Sequence, residues 1–187
     1  TSARGIMRET IGTHNTNLVA HSIDDLDQSI YRHIEDWRGY SNGTVTQVIV
    51  VESNKEFEAL ENTQNYIDEQ DREWRVVAPE TVTPFMKGLM SNSLSARLRE
   101  KIWLLEDLAG YKVYGEVFVT NKYGAVVAMT GKTSDYYQAD EKWWQEAKAN
   151  GIYVEDVTFD ESSKVYSINL ITRIEDESGN FIGVLKA

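Results

Sequence analysis

The spacing of apolar residues changes near residue 111, and this change limits the possible folds more than any other feature of the sequence. Before that point apolar residues recur at helical intervals, whereas after it aromatic and β-branched residues form short runs between turn residues. Helices grouped before strands are typical of α+β folds. We therefore predict one α+β domain, with a helical region over residues 1–110 packing on a mainly antiparallel five-stranded sheet over residues 111–187.

The first predicted helix carries one apolar stripe and runs from near the N-terminus to about Gly39. Along the stripe the steps are three, four, four and three residues, as a helical period requires, at Ile23, Leu26, Ile30, Ile34 and Trp37. A helix of about ten turns is long for a globular domain. Two interpretations stay open: a stalk that leads away from a membrane or a partner helix, and a long core helix of a bundle.

Three shorter helices and five strands are predicted after the first helix. The helices are Glu52–Glu61, Gln64–Trp74 and Leu89–Leu108, the last capped by Ser91 or Ser93 and ended by Gly110. The strands are Tyr114–Thr120, Ala125–Thr130, Ile152–Phe159, Val165–Ile174 and Phe181–Lys186. Glycine-containing turns at Asn121–Gly124 and Asp176–Gly179 predict hairpins, and therefore antiparallel pairing.

The net charge and the absence of cysteine exclude several classes of protein. With 19 basic and 30 acidic side chains, the net charge is −11, which argues against a nucleic-acid partner because such binding needs clustered Lys and Arg. Without cysteine the chain has no disulfide scaffold, thiolate zinc site or cysteine nucleophile. No apolar run approaches the ~20 residues of a transmembrane helix, and we expect the chain to be a piece of a longer protein.

No arrangement of residues predicts a catalytic group, a metal site or a cofactor. The histidines all lie on the first predicted helix, remote from any serine nucleophile, at His14, His21 and His33. Residues 131–133 (GKT) lack the spacing of a phosphate-binding loop, because six residues rather than four separate Gly124 from Gly131. An enzyme that uses two carboxylates stays open; it would need carboxylates converging in a cleft, one of them with a displaced pKa.

The segment Asp135–Ala147 is the most unusual part of the chain, because four large aromatic residues lie within nine positions of it. They are Tyr136, Tyr137, Trp143 and Trp144, the last two in a short predicted helix. Such residues either pack in the core or wall a small-molecule pocket, and both roles stay open. Adjacent residues on a helix point about 100° apart, so at most one of the two tryptophans faces a given pocket.

In order and spacing, several features of residues 91–187 resemble the PDC/Cache family of sensor domains. These features are the turns Asn121–Gly124 and Asp176–Gly179, the motif Trp143–Ala147 and Gly183-Val184 in the last strand. The resemblance implies a PDC/Cache-like sheet with a ligand loop, as in the extracytoplasmic parts of bacterial and archaeal histidine kinases and chemoreceptors. It also implies that the first helix continues from one transmembrane helix and that the last strand leads into another.

The resemblance further implies that a ligand binds between the sheet and the loop that covers it. Members that bind amino acids have Tyr, Arg and then Trp-Tyr in this loop; here Glu141 stands in the place of the Arg. Because an acid repels a carboxylate, Glu141 favours a cation or amine, whereas an anion would need Lys132, Lys142 or Arg173. The predicted ligand-binding residues are Tyr136, Tyr137, Trp143, Trp144, Lys132, Asp135, Phe159 and Arg173.

The function implied by the resemblance is non-catalytic sensing of a small molecule by the periplasmic or extracellular part of a membrane-embedded receptor. A sensor histidine kinase of a two-component system is the leading interpretation. A chemoreceptor input domain and a non-signalling solute-binding or adhesion module are the alternatives. Ligand binding would close the aromatic loop onto the sheet and shift the last strand relative to the first helix, within a homodimer formed through that helix.

Overall fold

The structure is a computed structural model, and it describes residues 3–160 and 165–187, with side chains described for residues 15–159 and 166–187. The side chain of His14 therefore lies outside the described residues. The chain divides into two units, one ending at Asp36 and one comprising Trp37–Ala187. Within the described residues, no helix combines the length and the apolar character needed to cross a bilayer.

The first helix, α1, spans Ala3–Ser41 and confirms the long helix predicted from the apolar stripe. Among residues 15–36, five large apolar side chains are more than half exposed: Leu18, Val19, Ile23, Leu26 and Tyr31. Further along the helix, Ile30 and Ile34 are half-buried. Much of the apolar surface of these residues is therefore accessible to solvent.

The second helix, α2, spans Thr44–Glu58, so the predicted helix Glu52–Glu61 is wrong at its start. Residues 45–51 are mostly β-branched and apolar, and this composition concealed a helical period. The buried positions nevertheless follow that period, at Thr46, Val50, Asn54 and Phe57. Packing against the sheet thus overrides the weak helix propensity of the β-branched run.

Three further helices are α3 (Thr63–Val76), α4 (Pro84–Ser91) and α5 (Ser93–Ala109). The predicted continuous helix Leu89–Leu108 is wrong, because Asn92 has an extended backbone and separates α4 from α5. Asn92 Oδ1 accepts a hydrogen bond from the N–H of Ser95 at 2.9 Å. Asn92 is therefore the N-cap of α5, and neither Ser91 nor Ser93 has this role.

Among the described residues seven strands follow, with a sixth helix, α6 (Lys142–Asn150), between the second and the third. They are β1 (Phe118–Asn121), β2 (Val126–Met129), β3 (Ile152–Val154), β4 (Thr158–Asp160), β5 (Val165–Ser167), β6 (Leu170–Glu175) and β7 (Phe181–Lys186). Five of them form an antiparallel sheet in the order β2-β1-β7-β6-β3, while β4 pairs with β5 in a separate hairpin. The predicted α+β class with a five-stranded antiparallel sheet is confirmed.

Two of the predicted strands are each divided into two. Ile152–Phe159 becomes β3 and β4, and Val165–Ile174 becomes β5 and β6. At the division the side chain of Asn169 donates to Glu155 Oε2 at 2.6 Å, and the N–H of Glu155 donates to the carbonyl of Asn169 at 3.0 Å. These contacts join the two strands where they leave the main sheet, so that their outer parts form their own hairpin.

Side chains of the main sheet alternate between two faces, as strand geometry requires. On one face Phe118, Thr120 and Lys186 contact the tryptophans of α6. On the opposite face the side chain of Asn121 donates to Ser53 of α2 at 3.2 Å. A Cβ atom on Gly183 would lie 2.1 Å from the carbonyl oxygen of Thr120, so glycine permits the close approach of β7 to β1.

The glycines of both predicted hairpin turns have positive φ, at +85° for Gly124 and +80° for Gly179. Their surroundings differ. A Cβ atom on Gly124 would lie 2.3 Å from the Cβ of Ala139, whereas one on Gly179 would meet nothing within 4 Å. Gly124 therefore serves two purposes, the turn itself and the close packing of the segment that contains Ala139.

We expect Gly124→Ala to lower the free energy of unfolding by about 2–5 kcal/mol, because left-handed strain adds to overpacking. Gly179→Ala is the matched control and should cost about 1–2 kcal/mol, since only the strain applies. Urea denaturation of both variants measures the difference. Equal losses would contradict the close approach at Gly124.

Candidate functional site

A cavity of about 280 Å³ lies between the sheet and the connection from β2 to α6. We call this connection the pocket loop (residues 130–141) and the cavity the Trp143 pocket. The loop contributes Thr133, Ser134, Gln138 and Glu141, and the remaining lining residues are Glu116, Phe118, Trp143, Glu155 and Lys186. Three carboxylates and one ammonium give the pocket a net negative charge when all four groups are ionised.

Trp143 and Trp144 are adjacent on α6, and their side chains have different surroundings. Trp143 lines the pocket and meets the ring of Phe118 edge-on, with the ring centroids 5.9 Å apart. Trp144 is buried in the core, where its Nε1 donates to Thr120 Oγ1 at 2.9 Å and its ring packs edge-on against Phe181. Both tryptophans are therefore buried in the core, but of the two only Trp143 also lines the pocket, in agreement with the angle between adjacent helical residues.

Lys186, the last residue of β7, places its ammonium in the pocket. Its Nζ lies 4.4 Å from the centroid of the Trp143 ring and 3.8 Å from Glu155 Oε2. Burial lowers the pKa of Lys186, and neighbouring carboxylates, Glu155 foremost, oppose this shift. The pocket therefore already holds one ammonium between an aromatic face and a carboxylate.

Glu116 lies two residues before β1, and its side chain forms part of the pocket wall. Its Oε1 is buried and has no hydrogen-bond partner among the described residues. Burial raises the pKa of Glu116 to about 7, although the charge of Lys186 acts in the opposite direction. Near neutral pH both the charged and the neutral form of Glu116 are therefore populated.

Helix α3 fixes the pocket loop through polar side chains. Trp74 Nε1 donates to the carbonyl of Thr133 at 2.9 Å, and its ring stacks on Tyr136 with the centroids 5.7 Å apart. Asp71 Oδ1 accepts hydrogen bonds from the backbone N–H groups of Tyr136 and Tyr137, at 2.9 and 3.0 Å. The loop is thus held by main-chain contacts as well as by packing of its aromatic residues.

Arg75, also on α3, joins Asp71 to the loop residue Asp135. Its Nε lies 2.6 Å from Asp71 Oδ2, and its Nη2 lies 3.3 Å from Asp135 Oδ2. Burial raises the pKa of Asp135, whereas a hydrogen bond from Ser134 and the charge of Arg75 lower it. Asp135 also accepts from the side chain of Gln138, so it supports two of the residues that line the pocket.

We expect Asp71→Asn to lower the free energy of unfolding by about 1–3 kcal/mol, because two loop N–H groups lose a charged acceptor. Hydrogen exchange of the Tyr136 and Tyr137 amides should become faster. The control is Asp68→Asn, on the same helix, where the exposed carboxylate bonds to the nearby Gln64 and where we expect a change below about 0.5 kcal/mol. Unchanged exchange in Asp71→Asn would show that the loop is held by other contacts.

The aromatic and acidic candidates on and beside the pocket loop are distributed between the pocket and the core. Trp143 lines the pocket, and Asp135 lies directly behind its wall. Tyr136 is 2% exposed and packs against Trp74 and Phe85. Tyr137 is half-buried. Whether these residues bind a ligand stays a prediction.

The other three candidates, Lys132, Phe159 and Arg173, are not among the residues that line the pocket. Lys132 Nζ donates to the carbonyl of Ala78, just beyond α3, at 2.9 Å. Phe159 lies on the β4–β5 hairpin and is 42% exposed. Arg173 on β6 pairs with Glu175 at 2.9 Å. Their predicted role in ligand binding likewise stays untested.

The sequence reasoning missed most of the charged groups at the site. Missing from the predicted set were Glu116, Glu155, Lys186, Asp71 and Arg75. For Lys186 a signal existed, because alternation along the last strand puts it on the same face as Val184. For the others no local pattern indicated a place at the pocket, since Glu116 precedes β1, Glu155 follows β3, and Asp71 and Arg75 lie on α3.

No known protein-family pattern matches the chain, and no curated protein is found to be similar to it. Among solved structures, the extracellular domain of the histidine kinase rpHK1S-Z16 matches with 18% identity and a TM-score of 0.36, over 66% of this chain and 48% of its own. The ligand-binding domain of the Campylobacter jejuni chemoreceptor Tlp3, in complex with 4-methylisoleucine, matches with 18% identity and a TM-score of 0.35, over 84% and 59%. The ligand-binding domain of the Pseudomonas aeruginosa PAO1 amino acid chemoreceptor PctC, in complex with GABA, matches with 10% identity and a TM-score of 0.35. The match covers 75% of this chain and 56% of that one.

The matched structures are sensor domains of a histidine kinase and of chemoreceptors, the kind of protein that the sequence resembles. This chain spans about half to three fifths of their length. Because the TM-scores lie below 0.5, the similarity supports neither a ligand nor an output for this chain. The proposals below depend instead on the Trp143 pocket and on the residues around it.

Proposed function

We propose that this chain is a ligand-sensing domain that binds a small molecule in the Trp143 pocket. The observation that carries the proposal is a cavity between the sheet and a loop that α3 holds in place. Small-molecule sites are concave and combine aromatic walls with placed polar groups, and in this pocket seven of the nine lining residues are polar or charged. Trp143 and Phe118 supply such walls, and Lys186 with the surrounding carboxylates supplies the polar groups.

In this proposal the domain lies outside the cytoplasm, as part of a membrane-embedded receptor whose output is a sensor histidine kinase. The order and spacing of the hairpin turns and of the Trp143–Ala147 motif support it. The gene of the parent protein tests it. Flanking apolar segments of ~20 residues and a downstream phosphoacceptor-histidine module would support the kinase receptor, whereas a gene with neither would favour a solute-binding module.

Signal transfer would begin at Lys186, because β7 lies between β1 and β6 in the sheet. The same strand is bonded to α2, since Asn54 Nδ2 donates to the carbonyl of Ile182 at 2.8 Å. The last turn of α1 is bonded to β6 through the hydroxyls of Ser41 and Thr172, 2.5 Å apart. A ligand with different affinities for two arrangements of β7 would therefore shift the contacts of both helices.

The receptor would work as a homodimer, with the exposed apolar side chains of α1 as its contact surface. Large apolar side chains grouped on an exposed surface commonly mark an interface. Sedimentation of the wild-type chain and of a variant with Ile23→Glu and Leu26→Glu tests this. A dimer that the two substitutions convert to a monomer is the expected result, and a monomeric wild-type chain would contradict the proposal.

A thermal-shift screen with small carboxylates, amines and metal ions tests ligand binding itself. A ligand present at 100 times its Kd stabilises the folded state by about 2.7 kcal/mol. Trp143→Phe should weaken the shift, while Trp103→Phe on α5, where the side chain is 64% exposed, should preserve it. A shift that is equal in both variants would place the ligand elsewhere, and the absence of any shift would count against a small-molecule sensor.

Acid–base catalysis is a second candidate function, because carboxylates converge in a cleft and the pKa of Glu116 is raised to about 7. An enzyme that uses two carboxylates needs these two properties. The ammonium of Lys186 among the carboxylates favours binding instead, since it occupies the space beside Glu155. A hydrolase screen with chromogenic glycosides and esters, with Glu116→Gln as the inactive control, separates the two functions.

A further inference from the structure

The ammonium of Lys186 occupies the aromatic face of the Trp143 pocket. Its Nζ lies 4.4 Å from the centroid of the Trp143 ring, within the range of a cation–π contact, and 3.8 Å from Glu155 Oε2. The pocket thus shows, with one of its own side chains, which chemical group fits it. That group is a primary ammonium.

The other charges of the pocket favour the same kind of group. Glu116 and Glu141 line the cavity together with Glu155, and Glu116 Oε1 is buried without a hydrogen-bond partner among the described residues. A carboxylate ligand would approach all three acids, whereas an ammonium ligand would be attracted by each of them. Without Lys186 the pocket would retain an aromatic face and three carboxylates.

Lys186 is able to leave the pocket without disruption of the sheet. It is the last residue of β7, its side chain is 20% exposed, and its long flexible stem can carry the ammonium to solvent. Burial lowers the pKa of Lys186, which means that burial disfavours the charged form in the pocket. Moving this ammonium from the pocket into solvent would therefore cost less free energy.

We propose that the Trp143 pocket binds a small organic ammonium compound, and that Lys186 is a built-in competitor which the ligand displaces from the Trp143 ring. This inference rests on the proposed function, because it assigns a ligand class to the same pocket. A ligand then occupies the pocket only if its binding is more favourable than that of the Lys186 side chain. Its displacement also links occupancy of the pocket to β7.

The experiment is a titration with propylammonium, and with propanol and propionate as its neutral and anionic counterparts, monitored by the indole N–H signal of Trp143 in NMR spectra. Lys186→Met and Lys186→Gln remove the competitor, and either variant suffices if the other does not fold. Lys142→Met removes an exposed lysine of α6 as the matched control. We expect propylammonium to bind both Lys186 variants about tenfold more tightly than the wild type, with no change in Lys142→Met.

Two results would overturn the inference. Equal or weaker binding of propylammonium by the Lys186 variants would show that Lys186 is not a competitor. Binding of propionate that is lost with Lys186 would show that Lys186 anchors an anion. In the second case the pocket would still bind a small molecule and the proposed function would stand, whereas failure of every compound in the wider screen would count against that function itself.

Discussion

The effect of Glu116→Gln on the free energy of unfolding should be more favourable at about pH 8 than at about pH 5, by roughly 2.5 kcal/mol. Burial raises the pKa of Glu116 from the ordinary value of 4.5 to about 7 in the folded protein. The folded state thus holds its proton more tightly than the unfolded state does. The associated stability is fully present below about pH 4.5 and is lost as the pH rises through 7.

Urea denaturation at several pH values between about 5 and 8 measures this effect. The wild-type free energy of unfolding should fall across the range, and Glu116→Gln should remove that part of the fall. Glu141→Gln is the matched control, because it removes an exposed carboxylate from the same pocket and leaves the buried one in place. Parallel curves for wild type and Glu116→Gln would show that the carboxyl of Glu116 is solvated.

Trp74→Ala should lower the free energy of unfolding by about 3–5 kcal/mol. Trp74 is 2% exposed, stacks on Tyr136, packs edge-on against Phe85 and donates to the carbonyl of Thr133. The substitution therefore removes a large core side chain and one attachment of the pocket loop together. Hydrogen exchange of the loop amides should become faster than the loss of global stability alone explains.

Trp74→Phe is a milder substitution, because it keeps an aromatic ring in the core but removes the indole N–H and some of the buried volume. We expect it to cost about 1–3 kcal/mol, and it remains measurable if Trp74→Ala does not fold. Trp103→Phe, at a 64% exposed site on α5, should change stability by less than about 0.5 kcal/mol. A loss of that small size in Trp74→Phe would mean that the bond to Thr133 contributes little to holding the loop.

The elements that could be predicted are those encoded by local patterns. The stripe of α1, the end of α5 at Gly110 and the hairpin glycines Gly124 and Gly179 were all predicted, since period and positive φ depend on neighbouring residues. The breaks were not predicted. Asn92 ends one helix and caps the next, and its side chain also donates to the Val127 carbonyl, a contact between residues distant in the sequence.

The candidate site was only partly predictable for the same reason. Trp143 was expected from a dense aromatic segment, whereas Lys186 was not among the predicted residues. The register of β1 and β7 pairs Phe118 with Lys186, and this pairing brings Glu116 close to the ammonium. Residues about 70 positions apart thus meet through strand order, which no periodic pattern in the sequence specifies.

The sequence by itself determined the α+β class, the antiparallel hairpins and the aromatic loop, because these depend on interactions between residues close in the chain. Tertiary structure alone decided which charges share the pocket, which tryptophan faces it and how α3 holds the loop. It also decided the raised pKa of Glu116, since that shift comes from burial. Burial and the meeting of distant charges exist only after the sheet and its covering loop have come together.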